Sequence, residues 1–146
     1  MSTLVVSRRR RRGVRARDVR RDGEYLLGAL APGVELSVAL VGDDEMRLLN
    51  RDYRRMDRPT DVLAFPMDAS LASGTLLGDV VISLDTAFRQ AAERGFDPAD
   101  EVRTLLVHGV LHLLGYDHER SPSEARRMFR KQKALVAALA ARDAAS

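Results

Sequence analysis

Residues 108–118 read His108-Gly109-Val110-Leu111-His112-Leu113-Leu114-Gly115-Tyr116-Asp117-His118, and they hold all three histidines of the 146-residue chain. His108 and His112 are four apart, so on a helix they share one face, one turn from each other. Two imidazoles so placed can converge on one ion at about 2.0–2.1 Å each. Gly115 lets the chain leave the helix, and His118 follows three residues later, in position to supply a third ligand from the loop. Three neutral ligands leave the fourth tetrahedral position open, the layout of a catalytic zinc site. Nickel or cobalt would accept the same nitrogens.

The helix around this pair is apolar nearly all round. Val102, Leu106, Val110, Leu113 and Leu114 take one side, and Leu105 and Leu111 flank the histidines. Such a helix is buried, and buried imidazoles need partners. Asp97-Pro98 opens the helix, with aspartate as cap and proline in the first turn. Before it, Leu76–Ser83 reads as a strand, and Ser83 caps a helix that Gly95 stops. Val62–Met67 is a second apolar strand, and Pro66 marks it as an edge or a terminating position. Between these two strands, Asp68–Thr75 reads as a polar loop. Glu35–Val41 alternates Leu36, Val38 and Leu40 on one face, the period of a strand. Asp43 or Asp44 then caps a helix carrying Met46, Leu49, Tyr53 and Met56 at helical spacing, broken at Pro59. Thr3–Ser7 reads as an edge strand and Ala16–Leu30 as a helix. Ser121-Pro122-Ser123-Glu124 has the capping-box pattern and opens a last helix with Met128, Leu135 and Leu139 as its stripe. The elements interleave irregularly. This predicts an α+β fold: a small mixed β-sheet packed with about five helices, with the metal site on a buried helix and the following loop.

Length allows one domain, residues 1–146, with a basic segment at 1–22 and a frayed tail at 143–146. The absence of cysteine excludes disulfides, thiolate zinc sites, iron–sulfur clusters and cysteine nucleophiles. No apolar run reaches the roughly 18 residues of a membrane span, and the start does not have the order of a signal peptide. A cytoplasmic protein with no membrane partner is the expectation. The net charge of +3 is uneven: nine arginines against Asp18 and Asp22 give residues 1–22 a net +7 and leave −4 on the rest. The tract Arg8 to Arg12 fits a polyanion partner such as RNA. It also fits a coding bias, since only Lys131 and Lys133 are lysine. With aromatics at 5% and no tryptophan, composition argues against a base-stacking platform.

The spacing of the three histidines also matches the metzincin peptidases. Those enzymes carry a glutamate general base directly after the first histidine, where this chain has Gly109.

The segment HGVLHLLGYDH resembles the signature H-G-x-L-H-L-x-G-Y-D-H of the YbeY family, bacterial endoribonucleases and rRNA maturation factors. LNRDYRRMDRPTDVLAFP, ending at Pro66, and LLGDVVIS, ending at Ser83, are similar to two further family segments; Ala64 stands where the family usually has serine. The resemblance covers about residues 35–140. It implies a zinc-dependent, single-strand-specific endoribonuclease. Its partners would be rRNA and the small ribosomal subunit, with roles at the 3′ end of 16S rRNA and in ribosome quality control. It implies one Zn2+ on His108, His112 and His118, and a functional arginine that maps onto Arg54. A fixed guanidinium suits that role, because phosphodiester cleavage builds charge on phosphoryl oxygens. Arg51, Arg55 and Arg58 beside it are candidates for RNA contact. Asp117 is a candidate to orient an imidazole from behind or to activate water, and its place in a tight turn favours a structural role. Asp61 and Asp79 are weaker candidates to line the cleft. The competing readings are a non-catalytic assembly factor with a structural metal, its fourth ligand Asp117 or Glu119, and a zinc peptidase.

Overall fold

A computed structural model describes residues 2–67 and 75–145. Residues 68–74, which hold nearly all of the expected polar loop, lie outside the described residues. Among the described residues four strands and five helices follow in the order β1 (Thr3–Ser7), α1 (Ala16–Leu30), β2 (Glu35–Val41), α2 (Asp43–Arg54), β3 (Val62–Pro66), β4 (Leu76–Ser83), α3 (Leu84–Arg94), α4 (Pro98–Leu113) and α5 (Pro122–Ala145). The sheet order is β1-β2-β4-β3. β1, β2 and β4 run parallel, and β3 pairs antiparallel with β4. The expected mixed sheet and α+β class are therefore present. Pro66 closes an edge strand, where its missing N–H costs no ladder bond.

Alternation along β4 assigns the two faces of the sheet. Val80 and Ile82 join the larger core with α1, α4 and α5. Val81 joins a smaller cluster with Val41, Met46 and Leu63, under α2. Asp79 shares the parity of Val81, so it faces away from α4 and does not line the cleft there. α4 is the central helix, with Val102, Leu105, Leu106, Val107, Val110, Leu111 and Leu113 all buried. It lies tight against the sheet at Gly109, where a Cβ would stand 2.6 Å from Val80 Cγ1.

Caps follow the sequence at three helices. Ser83 Oγ accepts from Thr86 N, Asp97 Oδ1 from Ala99 N, and Ser121 Oγ from Glu124 N. α2 differs. Its cap is Gly42, which has no side chain, and Asp43 is already helical. The Asp43 N–H instead donates to Asp85 Oδ2 of α3 at 3.0 Å. The Asp43 carboxylate accepts from Ser83 Oγ and Thr86 Oγ1, tying α2 to the β4–α3 junction. Sequence neighbours could not announce a cap delivered from 42 residues away.

The tail is also better held than expected. α5 stays helical to Ala145. Asp22, 5% exposed, accepts from Arg103 at 2.9 Å and from Arg142 at 2.7 Å, and Asp143 accepts from both arginines. This network locks α1, α4 and the end of α5 together. It pulls the Asp143 carboxyl down to about 2, mainly through its bonds to Arg103 and Arg142. Among the described residues no helix is long and apolar enough to cross a membrane.

Candidate metal centre

α4 delivers His108 and His112 on one face, as their spacing requires. The helix then stops in a Schellman motif: Gly115 N donates to the His112 carbonyl and Tyr116 N to the Leu111 carbonyl, each at 3.0 Å. Gly115 sits at φ +97°, a left-handed conformation that favours glycine. The chain doubles back, and His118 meets the other two. Ring centroids lie 4.8 Å (His108–His112), 5.1 Å (His108–His118) and 5.1 Å (His112–His118) apart. One ring nitrogen from each lies within 4.8 Å of the others. Among the described residues no carboxylate joins this group.

The three rings fit a metal on several counts. Gln132 Oε1 of α5 accepts from His108 Nδ1 at 2.8 Å, which leaves the Nε2 lone pair free. His118 Nδ1 is buried with no hydrogen-bond partner, a cost that a coordinated ion would relieve. Burial pushes the His108 and His112 pKa values below the ordinary histidine value, and the neighbouring imidazoles add to this. Neutral rings are the form that binds metal.

The cleft beside the rings, about 620 Å³, brings together Arg54, Asp61, His108, His112, Asp117, His118 and Glu119. Arg54 reaches it from the last turn of α2. That turn is anchored by the Tyr53 ring, 4.9 Å from Phe65, and by buried Asn50, whose Nδ2 donates to the Arg58 carbonyl. Arg51, Arg55 and Arg58 do not line the cleft. Arg51 pairs with Asp52, and Arg55 ends α2 in the left-handed region at φ 57°. Asp117 lines the cleft, but its oxygens accept from the Glu119 amide at 2.8 Å and Arg120 at 3.3 Å. Those bonds hold its carboxyl below the usual range. The group behind an imidazole is Gln132 instead, brought in by the packing of α5 on α4; sequence reasoning missed it. Asp61 accepts from the Val62 amide at 2.7 Å and stays at the cleft wall.

Gly109 bears on the peptidase reading. A Cβ there would stand 2.6 Å from Val80 Cγ1 and 3.4 Å from Val62 Cγ2, too close for a side chain to be accepted without a shift. A glutamate at the position of a metzincin base would thus meet the sheet at its Cβ.

The arginine tract lies elsewhere. Arg8 pairs with Glu45 at 2.8 Å, and Arg9 and Arg11 with Asp85 at 3.0 Å, while Arg11 also sits over Phe88. Glu45 and Arg54 are at opposite ends of α2, about 14 Å apart along its axis at 1.5 Å per residue. The tract therefore adjoins the start of α2, away from the histidines.

A model of the endoribonuclease YbeY family matches residues 18–140. The endoribonuclease YbeY of Aquifex aeolicus is 48% identical over 124 residues, covering 84% of this chain and 83% of that protein. That of Geobacter sulfurreducens is 44% identical over 144 residues, covering 95% and 96%. The solution structure of TM1509 from Thermotoga maritima superposes with a TM-score of 0.66 at 29% identity, covering 93% of this chain and 89% of that one. The matched span takes in Arg54, the glycine turn and all three rings of the cluster, and the chain belongs to the YbeY endoribonuclease family.

Proposed function

We propose that the chain is a zinc-dependent endoribonuclease that cuts single-stranded RNA in the cleft between α4 and the end of α2. We further propose that in the cytoplasm it acts on rRNA of the small ribosomal subunit, at the 3′ end of 16S rRNA and in ribosome quality control. The observation that carries this is the convergence of three imidazoles, with no fourth protein ligand among the described residues, on a cleft that also holds a guanidinium. His108, His112 and His118 would hold the ion. Bound there, zinc supplies a Lewis acid that brings the pKa of water to about 7.

The chain's own residues supply the rest. Arg54 gathers phosphoryl oxygens bidentately and opposes the charge that grows on them. Gln132 fixes the tautomer of His108. A cleft of about 620 Å³ has room for a short run of nucleotides beside the three rings.

The test is turnover of a labelled single-stranded RNA and of its duplex, with chelator and after zinc is restored. Cleavage of the single strand that stops with chelator and returns with zinc is expected. His108→Ala, His112→Ala and His118→Ala are each expected to lose bound metal. Chelator-resistant cleavage, or full metal content in all three variants, overturns the reading.

A further inference from the structure

Phe129 of α5 is 48% exposed beside the metal centre. Its ring centroid is 5.9 Å from that of His118, and 6.5 Å from that of His108 with only 27° between the planes. A large apolar ring left half in water next to a reactive cleft has an unfilled face. The helix around it is basic. Arg126 and Lys133 are three before and four after Phe129, so they share its face. Both are exposed, and among the described residues neither has an ion-pair partner. Two cations about 10 Å apart along the axis thus straddle an open aromatic ring. Sequence-independent single-strand sites combine these parts: a base stacks on the ring while cations track the phosphates.

We propose that Phe129, Arg126 and Lys133 form a nucleotide subsite, in which the base flanking the cleaved phosphate stacks on the Phe129 ring and the adjoining phosphates meet the two cations. This rests on the RNA-cleaving reading and deepens it. Arg54 reaches the cleft from α2, whereas Phe129 stands on α5 at the histidine side. An RNA strand lying in the cleft would then be held on both sides of the histidines. Stacking needs an unpaired base, so the subsite selects single strands directly. The low aromatic content does not oppose this, since one ring placed at the site suffices.

The test has two readouts. Binding of a labelled, non-cleavable 2′-O-methyl RNA is measured by anisotropy, and cleavage of the matching RNA by initial rates. Phe129→Ala is expected to weaken binding and raise KM about tenfold, with Phe129→Tyr near wild type. Zinc affinity and melting temperature are expected to stay unchanged. An abasic nucleotide beside the cut should cost wild type the same factor and cost Phe129→Ala nothing more. Unchanged RNA binding in Phe129→Ala overturns the subsite. So does a loss that follows weakened zinc affinity, which would make the ring mere packing under the ligands. Wild type that binds RNA through Phe129 without cleaving it would sink the cleavage reading and keep the subsite. Wild type that cleaves with no Phe129 dependence would do the reverse.

Discussion

Gly109→Ala would put a methyl group where Val80 already is. The new Cβ would stand 2.6 Å from Val80 Cγ1 and 3.0 Å from Cγ2, against about 3.5–4.0 Å for relaxed carbon contacts. About 1 Å must therefore open between α4 and β4, because a β-branched neighbour on a strand has few rotamers to escape into. Overpacking of this kind costs about 1–3 kcal/mol. Alanine returns about 1 kcal/mol of helix propensity over glycine. The net is a loss of about 1 kcal/mol, or about 2–4 °C in melting temperature. The three histidines sit on α4 and its following loop, so they move together and zinc affinity should hold. Arg54 comes from the sheet side and does not follow. A misplacement of about 1 Å across a reacting centre costs on the order of a hundredfold in turnover. Urea denaturation, zinc titration and single-turnover RNA cleavage on the same variant separate these effects. If Gly109→Ala matches wild type in both stability and turnover, Val80 yields freely and the packing argument fails.

Arg54→Ala should keep zinc and the fold while cleavage falls about 10²–10³-fold, and Arg54→Lys should rescue poorly, as single-turnover rates will show. Replacing Arg8 to Arg12 with serine should weaken RNA binding and flatten its dependence on salt, with the rate at saturating RNA nearly unchanged; a slope equal to wild type would show that the tract never touches RNA. Asp143 has a folded pKa of about 2 against an ordinary 3.8, so its contribution to stability is present above pH 3.8 and lost as pH falls through about 2. Asp143→Asn should accordingly flatten the acid limb of the stability curve, measured by urea midpoints. Zinc affinity should hold to lower pH than ordinary histidines allow, because burial keeps His108 and His112 neutral below 6.5; a fall beginning well above that pH would contradict the assigned environment.

What could be read in the sequence was whatever rests on local spacing. The His108–His112 pair follows from helical periodicity, and the return of His118 from the glycine at Gly115. Pro66 pointed to an edge or a terminating position because a missing donor is tolerated in few places, and it closes an edge strand. What could not be read depends on partners far along the chain. Gln132 lies 24 residues from His108 and meets it only because α5 packs on α4. The alternation along β4 was legible, but which face of the sheet α4 covers was not, so the sequence could not tell whether Asp79 meets the cleft. Residues 143–146 read as frayed because chain ends usually are, yet Asp22 and Arg103, far upstream, hold Arg142 and Asp143. Among Arg51, Arg54, Arg55 and Arg58, spacing offered no means of choosing and only the family resemblance pointed to Arg54; the geometry of α2's last turn brings that one to the cleft.

The order of the strands has a consequence for how the chain comes off the ribosome. β4 is the hub of the sheet, parallel to β2 on one side and antiparallel to β3 on the other. β2 emerges first, and at about 5–20 residues per second its partner follows roughly 2–8 seconds later. During that interval Leu36, Val38 and Leu40 have β1 as their only paired strand and α1 as their only finished partner in the larger core. The β3–β4 hairpin is the local unit that can form alone and then dock. The strand order accordingly predicts that β2 gains its second neighbour only after β4 is made, so amide protection in β2 should follow that in the β3–β4 pair in pulsed hydrogen exchange during refolding.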